Sequence, residues 1–203
     1  MARLLGALAI VAILLAVGDV AARRWAEGEL ARRIEASVPG SHATVHVSSF
    51  PFLGRLVASG SVSKITAHID KVANTSVPFA FIEIEVDGVK LDRNTLIQDR
   101  KVKLQSISRG VVRAEITEAA LSRAVGQPLR LGNGQLQVVR AGVAIPAKVA
   151  VVDNRLVVSG PASLGVAIPK LPILPCAVTA SVQPGRLDVS CEVHEIPPAL
   201  VTA

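Results

Sequence analysis

The chain has 203 residues, half of them hydrophobic, with 22 Lys and Arg against 16 Asp and Glu and a formal charge of +6. Aromatic residues make up 2% and tyrosine is absent, so the base-stacking platforms of single-strand nucleic-acid binders are missing. No linker, low-complexity tract or repeat divides it. One body of roughly 180 residues, able to bury about 70% of its unfolded surface, is expected behind a separate leader.

The leader comes first. Arg3 precedes an uncharged apolar run of 14 residues from Leu4 to Val17, then Gly18, Asp19 and Val20-Ala21-Ala22. A basic start, an apolar core and small residues before Arg23 are the parts of a secretory signal. Residues 1–22 are therefore read as a signal peptide or a signal anchor, and both outcomes stay open. A transmembrane helix wants about 20 apolar residues, which this run reaches only by including Asp19. No Cys lies near residue 22, which excludes a lipoprotein anchor there. Arg23, Arg24, Arg32 and Arg33 follow the run, which alone favours a cytoplasmic body; the cysteines and the resemblance given below outweigh that. Residues 1–22 carry one cation, Arg3, and one anion, Asp19, so the body keeps the whole +6. An exported cationic domain suits anionic lipid as a partner.

Trp25 to Val38 has helical spacing and stops at Pro39-Gly40. From Thr44 the period becomes two, and Phe50-Pro51-Phe52-Leu53-Gly54 reads as a turn that breaks the strand. Val62–Val72 resumes it, with Ile65, Ala67 and Ile69 on one face. In Phe79–Asp87, Ala80, Ile82, Ile84 and Val86 oppose Phe79, Phe81, Glu83 and Glu85. Val102–Ile116 reads as one long strand bent at Gly110. Thr117 caps a short helix, Glu118–Val125, ended by Gly126. Gly132-Asn133-Gly134, Asp153-Asn154 and Pro184-Gly185 are hairpin turns. The class is α+β, a long twisted antiparallel sheet with a few helices.

Pro184-Gly185 would bring Cys176 and Cys191 together across a hairpin. In an exported protein that favours a disulfide over two buried thiols. Val143–Val152 is apolar on both alternating faces, and Ala141–Gln183 carries only four charges, Lys148, Asp153, Arg155 and Lys170. Such strands are either sandwiched between layers or face a groove or membrane.

No catalytic set stands out. His42 and His46 are roughly 13 Å apart along a strand, too far to share a metal. Ser61-x-x-Lys64 lies in a strand, where positions three apart face opposite ways, unlike an acyl-transfer nucleophile. Glu83 and Glu85 share a face, a spacing open to a hydrolase but commoner as solvated acids. Lys103, Arg109 and Arg113, from the basic stretch beginning at Arg100-Lys101, would share a face that could meet phosphate headgroups. No enzyme, cofactor, metal or nucleic acid is expected.

The segment Val47–Ile65, centred on Phe50-Pro-Phe-Leu-Gly54, resembles the signature of the actinobacterial LmeA-like phospholipid-binding family, of the mycobacterial lipomannan elongation factor type. Glu83–Leu91, Arg113–Leu121 and Ile173–Val193 resemble its later segments. The resemblance implies a tubular fold like that of the TULIP and BPI proteins, with sheet and helices enclosing an acyl-chain groove. It also implies non-catalytic binding or transfer of an anionic, phosphoinositide-like phospholipid, and support of lipomannan-type envelope glycolipid maturation. Residues 23–203 would then be an extracytoplasmic lipid-binding domain, anchored to the outer face of the cytoplasmic membrane or released as a periplasmic or secreted protein. Phe50, Phe52 and Leu53 could form a groove mouth or membrane-dipping tip, or plug the core. Phe79, Phe81, Lys103, Arg109 and Arg113 complete the candidate lipid contacts. The alternative is a structural scaffold for an envelope glycosyltransferase.

Overall fold

The computed structural model describes residues 2–37, 40–72, 78–98, 104–132, 134–152, 155–159, 164–167 and 176–194. Arg100, Lys101, Val102 and Lys103, Val38 and Pro39 at the expected helix end, Asn133 and the Asp153-Asn154 turn lie outside them.

The longest element is a helix, α1 (Ala2–Ser37), in which the leader and the Trp25 segment run on without a break. It lies along the edge strand β1 (His42–Ser48), whose Ala43, Val45 and Val47 point inward. Glu35 accepts a hydrogen bond from the Ala43 N–H at 2.9 Å, and Glu27 one from the Val47 N–H at 2.8 Å. Eight helical residues rise about 12 Å and four strand residues span about 13 Å, so the two carboxylates match the strand's repeat. Eight residues before Glu27, Asp19 is buried and accepts from the backbone N–H groups of Phe52 and Leu53, at 2.9 and 2.6 Å.

Asp19 explains one departure from expectation. Phe50–Gly54 is not a simple turn: Pro51 leads into a helix, α2 (Phe52–Ser59), closed by Gly60 in the left-handed region at φ 63°. No side chain within α2's own flank caps its N-terminus. The cap comes from 33 residues upstream, and such a charged acceptor stabilises a helix start by about 1–3 kcal/mol. Among the described residues no helix is long and apolar enough to cross a membrane. The one acid a span would have to carry into lipid is held against protein instead.

The large sheet has the order β1, β2 (Ser61–Val72), β3 (Phe79–Leu91), β5 (Arg109–Thr117), β12 (Arg186–Val193) and β11 (Thr179–Gln183), all antiparallel. The short strand β4 (Leu104–Ser106) pairs with the end of β3. The expected continuous strand through Gly110 is thus two strands separated by Ile107-Ser108. Across the break, Gly88 sits at φ +60°, and a Cβ there would strike the Ser108 side chain. Near α2, Val47, Phe52, Val62 and Val89 form a small core against which Ala22 and Ala26 of α1 pack.

The helix α4 (Glu118–Val125) forms where expected. Its cap Thr117 accepts from the Ala120 N–H at 3.2 Å, and Gly126 ends it at φ 71°. It leads into a five-stranded meander, β6 (Leu129–Gly132), β7 (Gln135–Arg140), β8 (Val143–Val152), β9 (Arg155–Ser159) and β10 (Leu164–Ala167). A further short helix, α3 (Arg93–Gln98), follows β3. The main core lies between the sheets: Ile82, Val112, Ile116 and Leu187 from one meet Leu131, Leu136, Leu156 and Val158 from the other, with Leu121 of α4 among them. The class is α+β with two antiparallel sheets. Cys176 and Cys191 form a disulfide beside the β11–β12 hairpin, with Cα atoms 5.7 Å apart.

Candidate functional site

The two sheets do not join edge to edge where β11 meets the meander. β11 ends the hydrogen-bonded order of the large sheet, and among the described residues β7 and β8 do not pair with it. The space left is a groove of about 760 Å³, within the roughly 300–1,000 Å³ range of small-molecule sites. Leu136 of β7, Ala147 and Val149 of β8 and Ala180 and Val182 of β11 supply apolar lining. Gln135, Ser159, Ser181 and Lys148 supply the polar part. Lys148 is the one charged side chain in that lining, and it is exposed with no ion pair among the described residues.

The alternation along β8 shows why the groove is there. Ile145, Ala147, Val149 and Val151 point inward yet are only half-buried, while Ala144, Pro146, Lys148, Ala150 and Val152 lie exposed on the other face, with Pro146 and Lys148 also bordering the groove. The two-faced apolar strand expected from sequence is therefore neither a fully sandwiched layer nor an ordinary wet strand. One face is partly covered and lines the groove; the other is open.

The residues singled out from sequence scatter instead of converging on this groove. Phe52 is buried in the small core beside α2, and Phe79 in the main core. Phe79 does not share the wet face of Glu83 and Glu85, because the inward set near the start of β3 is Phe79 and Ile82, with Ala80 exposed. Phe81 is half-buried and stacks on His68 with ring centres 5.0 Å apart. Phe50 and Leu53 are exposed at the α2 end. Lys103 lies outside the described residues.

Arg109 and Arg113 do share the outer face of β5, but acids meet both. Arg109 contacts Glu192 at 2.6 Å, and Arg113 lies 3.9 Å from Glu83. The hydrogen bond from Arg109 holds the Glu192 carboxyl below the usual carboxylate range and raises the guanidinium's own pKa. Lys64 binds Glu85 at 2.6 Å, which lowers the Glu85 pKa and raises that of Lys64. Arg186 bridges Glu115 and Asp188 at 3.3 and 3.4 Å. Glu83, Glu85 and Lys64 belong to this lattice of cross-strand ion pairs, while Ser61 Oγ lies 2.6 Å from Ser59 Oγ. His42 and His46 sit beside Glu35 and Glu27, at 3.1 and 3.4 Å. Among the described residues no group of three or more His, Cys, Asp or Glu is placed to hold a metal.

The meander is charged differently. Arg130, Arg140 and Lys148 stand exposed on β6, β7 and β8 with no ion pair among the described residues. Sequence reasoning passed over these cations because they are far apart in the chain, and only the hairpins bring their strands side by side. The sparse charge of Ala141–Gln183 was the available signal, since an isolated Lys in an apolar segment has no local acid to neutralise it.

An open, largely apolar cleft between two antiparallel sheets, bordered by a single cation, Lys148, suits an amphipathic molecule. Residues 17–202 match the profile described as LmeA-like phospholipid-binding, and the chain belongs to that family. Neither the curated proteins nor the solved structures contain a match to it.

Proposed function

We propose that the protein binds an anionic, phosphoinositide-like phospholipid by laying acyl chain along the β7–β8–β11 groove, with Lys148 at the mouth meeting the phosphate. The observation that carries this is the groove itself: apolar lining and one unpaired cation, in a chain from a phospholipid-binding family. Burial of acyl surface supplies affinity at roughly 25 cal/mol per Å² and requires no catalytic group. A lone ammonium favours the anionic headgroup without fixing its orientation. Arg130 and Arg140 extend the positive field around the same sheet. In this reading the two sheets serve as the tubular enclosure that the family resemblance implies, and Phe50 and Leu53 face the membrane instead of the groove. The working place is the outer face of the cytoplasmic membrane, with delivery or presentation of lipid during envelope glycolipid maturation as the use.

The test is native mass spectrometry of the purified chain, with extraction and identification of the lipid. Anionic phospholipid is expected to co-purify, and Ala147→Trp, which fills the groove, to lose it at unchanged melting temperature. Lys148→Glu should shift the bound population toward zwitterionic lipid. A lipid-free protein that takes up no phospholipid from vesicles refutes the proposal.

A further inference from the structure

The apolar leader does not stop at the domain boundary. Ile13, Leu14, Leu15 and Val17 are 62, 65, 70 and 61% exposed. At about 100° per residue these positions sample different sides of α1, so the helix is apolar all round and covered on none of them. A protein partner or a second copy would cover one side. Lipid surrounds a helix on every side.

Two residues after Val17, the same helix becomes part of the folded domain. Asp19, 6% exposed, holds the first N–H groups of α2, and Ala22 and Ala26 pack beside Phe52. This fixes α2 beside the point where the apolar run ends. Phe52 faces the small core, while Leu53 and Val57, one turn apart, face outward, and Phe50 just before them is 76% exposed. An eight-residue helix therefore has apolar side chains on both sides, with only the inner side covered by protein. Arg24, exposed and without an ion pair among the described residues, follows the apolar run, as an anionic headgroup layer would require.

We infer that α1 stays on the folded protein and that α1 and α2, joined through Asp19, form one foot whose partner is the surface of a lipid bilayer. The apolar run is about 21 Å long as a helix, short of a hydrocarbon core of about 30 Å. The foot therefore enters one leaflet, with Phe50, Leu53 and Val57 at the interface. Cleavage after Ala22 would remove Asp19 and leave the Phe52 N–H buried without its acceptor. The inference does not depend on the groove.

The test uses the full chain carrying Val57→Cys, labelled with a polarity-sensitive dye; both native cysteines are in the disulfide, so the new thiol is unique. With phosphatidylcholine vesicles containing phosphatidylglycerol, the dye emission is expected to shift to the blue and to be quenched by acyl-brominated lipid. The same dye at Ala119→Cys on α4 should do neither. Asp19→Ala is expected to speed amide exchange at Phe52 and Leu53 by about tenfold or more, with Asp19→Asn in between. Protein recovered from an exporting host should retain residue 19 by intact mass.

A chain that begins at Arg23 overturns the inference. So does a dye at position 57 that stays in water on bound protein, or one already buried in a lipid-free dimer. In Ala147→Trp the dye response persists while groove lipid is lost, so failure of the foot and failure of the groove give different results.

Discussion

The two sheets have similar construction and opposite chemistry. The outer face of the large sheet is a lattice in which Lys64, Arg109, Arg113 and Arg186 each meet an acid. The meander has exposed Arg130, Arg140 and Lys148 with no acid among the described residues, and an apolar strand half-covered on one face. Neutralised charge over a complete core is what a scaffold needs. Unpaired cations beside incompletely buried valines leave both electrostatic and hydrophobic free energy to be gained from a ligand. Under the proposed function, stability belongs to the large sheet and binding to the meander, and substitutions can separate the two.

The largest effect should come from the large sheet. Leu187→Ala removes a fully buried side chain and is expected to cost about 2–5 kcal/mol in urea unfolding. Val149→Ala, half-buried in the groove, should cost well under 1.5 kcal/mol while weakening lipid uptake. Equal losses of stability would erase the proposed division. Next, reducing Cys176–Cys191, which closes a separation of 15 residues, should lower stability by about 3 kcal/mol, read as a drop in melting temperature. A drop in stability without loss of groove lipid would show that the hairpin serves the scaffold alone. The smallest effect is in acid. Glu85 and Glu192 have lowered pKa values in the fold, so their stabilisation is present above the ordinary value of 4.5 and is lost as pH falls below it. Melting temperature should decline in that window, and Glu192→Gln should flatten the decline slightly, because exposed pairs contribute little. Lipid binding through Lys148, whose proposed partner is the ligand's own phosphate, should not follow the same curve.

Much of this was legible locally. Thr117, Gly126 and Pro184-Gly185 act within a few residues of themselves, so the helix and hairpin they define appear where expected. The two-faced pattern of Val143–Val152 also pointed to a strand that lines the groove. What failed depended on distance. α2 looked like a turn because its cap, Asp19, lies in a segment that sequence alone marks as disposable. Phe79 changed faces where β3 begins, and the break at Ile107-Ser108 depends on Gly88 in the opposite strand. The groove was not readable from motifs because three strands from separate hairpins supply its lining. Charge density led to Arg109 and Arg113, where cations are abundant but neutralised, and away from Lys148, where one cation stands alone.

The pair Glu27 and Glu35 also bears on how the protein behaves in solution. β1 is an edge strand, and its outward Ala43 and Val47 N–H groups would be free to pair with another chain. The two carboxylates occupy those donors, so α1 serves as a guard against strand-to-strand aggregation. A chain truncated ahead of β1 would expose that edge and is expected to form oligomers through it, so α1 governs solubility as well as position.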